Sequence, residues 1–404
     1  MSGDRSKHPV PLVLSEGFRF FFLAGPIFSI VAMGMWLGWL AVHALGGVFT
    51  ALPFVVPPHE WHAHEMIYGY GAAVMAGFFL TAVPNWTGAE PARAVYIAAI
   101  AGLWLAGRLA LMFSSAIPPV LVMAVDVAFV PVLGIKILLN LMKRPKPQNL
   151  VFLGLLALMT IGNVLMHLGW LGAVPDGARS GARLGLLTLA ALIAILGGRV
   201  TPAFTRNALL RDGREDALPV LRTRVDGAGT VLAMALALSA PLGFDERLLA
   251  ALALAAGIAN AVRLQGWRGL SVIDQPILWS LHLGFAMLVL GYLALAAHWL
   301  GAPIGEAAAL HVIAIGSVGG MTLAVMSRAA LGHTGRPLVV ARPIAWAYGL
   351  IALAALVRSL GQVVMPDRYF TVMMIAGGFW IAALSIFAVI YAPILIRPRA
   401  DSRQ

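Results

Sequence analysis

The sequence predicts an all-α polytopic membrane protein of about twelve transmembrane helices, and three observations carry that prediction. Sixty per cent of the 404 residues are hydrophobic and only 11% are charged. Mean hydropathy is +0.89. Apolar runs of about 20 residues recur from end to end, the length a helix needs to cross a bilayer core. The net charge of +11 does not point to nucleic acid, because the basic residues fall in alternate loops between apolar runs, where an orientation bias explains them. With no cysteine there is no disulfide, no thiolate metal site, no iron-sulfur cluster and no covalently attached haem, so any metal must be held by His, Met or carboxylate.

The first span is expected over 18–43, opening on FRFFFLAGP. The MSGDRSKHPVPLVLSEG before it lacks the apolar core and small-residue cleavage site of a signal peptide, so the span is expected to be retained. Spans at 62–83, 94–113 and 118–142 follow, then 149–171, 181–200, 222–241 and 247–265, then 275–299, 306–328, 341–364 and 369–396. A cytoplasmic N-terminus puts Arg5, Lys7, Arg93, Lys143, Arg144, Lys146, Arg206, Arg211 and Arg214 on one side, against Arg108, Arg179, Arg183, Arg247, Arg358 and Arg368 on the other. That bias predicts both termini in the cytoplasm, as for a multi-pass protein of a bacterial inner membrane.

The chain also repeats itself. The second, sixth and tenth spans end in related signatures, Pro84-Asn85-Trp86-Thr87-Gly88, Pro202-Ala203-Phe204-Thr205-Arg206 and Leu331-Gly332-His333-Thr334-Gly335. Gly169 to Thr205 and His298 to Thr334 are both separations of 36 residues. Three four-helix pseudo-repeats are expected, near 18–142, 149–265 and 275–396, within one membrane domain. Counting back 23 residues from Thr87 reaches His64, and the same count from Thr334 reaches His311. Two imidazoles at equivalent places on facing helices are what a bis-histidine haem needs, so His64 and His311 are the expected axial ligands. Arg108 and Arg358, at the outer ends of their spans, are the expected partners of the haem propionates.

Most of the histidines share one membrane level. His43, His59, His62, His167 and His298 lie at or near the outer face, with His64 and His311 close to it. His62 lies three residues before Glu65, a spacing that brings side chains together on one helix face and suits a second metal. His282 and His333 lie toward the opposite face and point to a separate site. An interfacial histidine is also an ordinary headgroup-level residue, and His333 also suits a turn. Arg199 and Arg328, each six residues before a signature threonine, suit an anionic ligand or snorkelling to lipid phosphate. Asp126, inside the fourth span with Lys136 beyond it, is either a proton-path element or a paired structural charge.

The strings WHAHEM at 61–66, GFFLTAVPNWTG at 77–88, LWLAGR at 103–108, TPAFTRN at 201–207 and SRAALGHTGRPL at 327–338 together resemble the NnrS family of bacterial membrane proteins. The resemblance implies non-covalent haem b and copper, inner-membrane location, and a role in nitric oxide metabolism and resistance to nitrosative stress. His62, His64 and His333 match the family's strings, and His167, His282 and His311 match by placement. The twelve spans in three arcs also look like the large subunit of haem-copper oxidases and nitric oxide reductases, which carry haem ligands on their second and tenth spans. Between His167 and His282 this chain has no histidine, so the copper ligands of those enzymes have no counterparts on the sixth and seventh spans.

Two functions are therefore expected. One is a haem and copper protein that binds or reduces nitric oxide, drawing electrons from a quinol or a protein donor. The other is a secondary transporter with a histidine-lined path, since repeats and Pro or Gly interruptions are familiar from carriers.

Overall fold

The computed structural model describes residues 11–403, so the basic residues Arg5 and Lys7 lie outside the described residues. The described chain is helical, with no strand, and holds 12 helices long and apolar enough to cross a membrane. They are α1 (Gly17–Ala44), α2 (Pro58–Thr87), α3 (Ala94–Met112), α4 (Pro119–Leu141), α5 (Pro147–Trp170), α6 (Gly177–Arg211), α7 (Thr223–Leu242), α8 (Glu246–Gly266), α9 (Pro276–Trp299), α10 (Glu306–His333), α11 (Arg342–Val364) and α12 (Pro366–Ile396).

The ends follow local chemistry. α2 starts four residues before the expected 62, because Pro58 occupies the first turn, where its missing N–H costs nothing. It stops at Gly88, whose φ of 66° is the left-handed conformation that closes helices, with the Gly88 N–H donated to the Pro84 carbonyl at 2.8 Å. α6 runs on past the expected 200 to Arg211, through Pro202. α4 breaks at Ala128, where Pro131 can give no N–H to the turn before it.

Burial sorts the helices into centre and rim. Of their apolar stretches, 78% of α2, 78% of α6 and 72% of α10 are buried, against 28% of α7. α2, α6 and α10 therefore form the centre, and the other spans shield them from lipid. α5 and α6 meet backbone to backbone. A Cβ on Gly177 would lie 2.6 Å from the Leu165 carbonyl and 2.9 Å from the Gly169 nitrogen, and one on Gly181 would lie 2.7 Å from the Met166 nitrogen. Small residues at such crossings are how membrane helices gain contact, since lipid gives them no hydrophobic drive to associate. This crossing fixes the end of α5 where His167 sits.

Two central helices change pitch at the same place. α2 winds as π-helix over Glu65–Gly71, directly after His64, and α10 does so over Val312–Gly319, directly after His311. π-turns in α-helices are rare and concentrate at functional sites. The two ends of the described chain lie at one end of the bundle. Arg19 of α1 donates from Nη1 to the carbonyls of Leu395 and Arg397, each at 2.9 Å, and the Ala400 N–H is donated to the Thr334 carbonyl.

Candidate metal centre

A polar cluster is built inside the opposite end of the bundle by four helices. α2 contributes His64 and Glu65, α3 Arg108, α4 Asp126, and α5 Asn163 and His167, and all six are buried. Arg108 donates from Nη1 to both Glu65 oxygens at 2.8 Å and from Nη2 to Asp126 Oδ1. Asp126 Oδ2 accepts from Asn163 Nδ2 at 2.9 Å and lies 2.9 Å from His167 Nε2 and 3.0 Å from His64 Nε2. The other face of His64 turns to Glu65, with Nδ1 to Oε1 at 3.2 Å, and its Nε2 also meets Asn163 Oδ1 at 2.8 Å.

Glycines make the room. A Cβ on Gly69 would stand 2.9 Å from Glu65 Oε2 and 3.1 Å from Arg108 Nη1, and one on Gly107 would stand 3.0 Å from Asp126 Oδ1. Larger residues there would push apart the guanidinium and the two carboxylates. Trp104 donates from Nε1 to the Gly69 carbonyl at 2.9 Å, which satisfies an acceptor within the π-turn. Trp170 closes the outer side, its ring 5.3 Å from His64 and 4.9 Å from His167, held by an Nε1 bond to Glu60 Oε2 at 2.7 Å.

Charge decides what the cluster can hold. One guanidinium and two carboxylates leave a net negative charge when both imidazoles are neutral, and an isolated buried charge is expensive in an apolar bundle. Acceptors face both nitrogens of His64, so protons on both close the metal-free cluster. A bound cation would take the place of such a proton. His64, Asp126 and His167 each offer one ligand atom, all within 4.8 Å of one another. Donor atoms near 3 Å apart match two ligands at right angles around a metal with bonds of about 2.1 Å. Imidazole with carboxylate suits copper, zinc or non-haem iron.

The expected site residues fall into separate neighbourhoods. His64 meets His167 rather than His311, since both its nitrogens are engaged in the cluster. Glu65 and Arg108, expected at a metal and at propionates, bind each other, because each buried charge needs the other. The electrostatic neighbours of His311 are His62 and Arg358. His62 stacks on Trp36, ring centres 4.9 Å apart at 12°, and its Nδ1 is buried without a partner. His311 donates from Nδ1 to the Ala307 carbonyl at 2.5 Å, and Arg358 donates to Gln362 Oε1 at 3.1 Å. His282 meets Thr205 Oγ1 at 2.9 Å beside Trp267, and His333 packs on Phe18 at the terminal end.

Sequence reasoning left Asp126 between two roles and passed over Asn163 and Trp170. The signal available was the spacing of Asn163, His167 and Trp170, four and three residues apart on one face of α5. No curated protein matches the chain. A family model described as NnrS protein matches residues 12–399, nearly the whole length, and the protein therefore belongs to the NnrS family.

Proposed function

We propose that the protein is a copper- and haem-binding inner-membrane protein that acts in the nitric oxide response, with both termini cytoplasmic and copper held by His64, Asp126 and His167. Family membership supports the link to nitric oxide. The observation that carries the copper assignment is the convergence of three buried ligand atoms beside Arg108, Glu65 and Asp126, whose charges sum to one negative that a bound cation would balance. Arg108 fixes Asp126 and Glu65 in place, Asn163 orients the Asp126 carboxylate, and Trp170 with Glu60 excludes water.

For haem b, the donor chemistry favours His311. Its Nδ1–H bond to the Ala307 carbonyl fixes the ring and leaves Nε2 open, the arrangement metal-bound histidines use. His62, whose buried Nδ1 has no partner among the described residues, and Arg358 are electrostatic neighbours of His311 and would serve as second ligand and propionate partner. Bound copper and haem would supply one-electron redox chemistry and a coordination position for a diatomic gas. Electrons would come from a membrane quinol or a protein donor. The three four-helix units near 18–142, 149–265 and 275–396 belong to the same reading, supported by the π-turns that follow both His64 and His311. A transporter path is disfavoured by the closed bonding of His64 and His167, which suits a fixed centre.

Metal analysis and an optical spectrum of the purified protein, before and after nitric oxide addition, test the reading. The wild type should carry copper and a Soret band that shifts with the gas, and His167→Ala should lose copper while keeping the Soret band. Copper undiminished in His167→Ala would remove the centre.

A further inference from the structure

A second feature lies at the terminal end of the bundle, away from the metal centre. α2, α6 and α10 diverge there around a cavity of about 450 Å³. It runs from Gly71 to Trp86 along α2, about 22 Å at the rise of an α-helix. Its body is apolar, walled by Phe78, Leu192 and Leu196, and its mouth carries Asn85, Arg328 and His333. Arg328 lies with its guanidinium 3.9 Å from the centre of the Phe204 ring. Among the described residues it has no hydrogen-bond acceptor and no acidic partner of its own; its electrostatic neighbour is Arg211, which pairs with Asp212 at 4.0 Å. A guanidinium without an anion beside an apolar chamber lacks the partner that membrane-embedded charges ordinarily have.

We infer that this cavity binds an amphiphile whose carboxylate head pairs with Arg328 and whose apolar body lies between α2, α6 and α10. The planar fork of arginine matches a carboxylate in bidentate fashion, and Asn85 and His333 offer further polar groups at the same level. A single-chain fatty acid has this chemistry, and one extended acyl chain suits an apolar chamber about 22 Å long. The inference stands apart from the copper assignment, since no residue of that cluster lines the cavity.

Trp86 at the mouth supplies the readout. The full chain in nanodiscs of neutral phosphatidylcholine is titrated with 12-bromododecanoate, and separately with metal-free protoporphyrin IX. The bromo acid should quench tryptophan emission saturably, and the saturable part should shrink in Trp86→Phe. Arg328→Gln should weaken binding by about tenfold or more, as expected for loss of a hydrogen bond to a charged group. The methyl ester of the bromo acid should bind more weakly and be indifferent to Arg328→Gln. Ala82→Phe, which fills the cavity without touching the arginine, should abolish the saturable phase and covers the case in which Arg328→Gln does not fold. Saturable quenching by the porphyrin and none by the bromo acid overturns the inference in favour of a haem-type ligand. Equal binding of acid and ester, unchanged affinity in Arg328→Gln, saturable quenching that survives Ala82→Phe, or no saturable quenching by the bromo acid overturns it as well.

Discussion

Asp126 and Arg108 can be tested as a charge pair. In the wild type Arg108, Glu65 and Asp126 sum to a single negative charge, which the second proton on His64 balances in the metal-free cluster. Asp126→Asn brings the sum to zero and removes one of three ligand atoms. Outer partners of metal ligands already change affinity by about 10- to 100-fold, so loss of the ligand itself should weaken copper by about 100-fold, or ~2.7 kcal/mol. Arg108→Gln leaves two buried carboxylates without their guanidinium, and breaking a buried pair in this way costs about 3–5 kcal/mol. The double variant returns to a single negative charge, so its stability loss should be well below the sum of the two single losses. Copper affinity by competition with a chelator, and thermal unfolding of the chelated protein in detergent, read the two quantities separately. Additive losses in the double variant, or unchanged copper affinity in Asp126→Asn, would refute the charge argument.

Further outcomes are expected elsewhere. Copper binding should release protons, so affinity should fall as pH falls, by about tenfold per unit for each proton released; calorimetry in buffers of different ionisation enthalpy checks this, and a pH-independent affinity would count against imidazole and carboxylate ligation. His311→Ala should lose the Soret band, whereas His64→Ala should keep it and lose copper; the reverse pattern would restore His64 as the haem ligand. Gly177→Leu should force α5 and α6 apart at Leu165 and Gly169, costing about 1–3 kcal/mol or more and lowering the yield of folded protein and its copper together. Full yield and copper in that variant would mean the close crossing does not position His167.

The twelve helices were legible because the bilayer imposes a length and a polarity on each span, and a run such as 94–113 meets both without reference to any other part of the chain. The family was legible for a similar reason, as short strings like WHAHEM and SRAALGHTGRPL keep their identity in one dimension. Spacing also singled out His64 and His311, and the fold sets both directly before a π-turn. Which groups those histidines meet was not legible. Asp126 lies 37 positions from Asn163 and 41 from His167, and His64 lies 99 from Asn163, so only the packing of α2, α4 and α5 brings them together. A buried charge takes whatever opposite charge the neighbouring helix brings to its depth, and that depends on helix rotation and crossing rather than on the run of residues. Arg108 thus joins Glu65 and Asp126, and His64 turns to α5, because glycines at 69, 107, 177 and 181 let those helices come close enough.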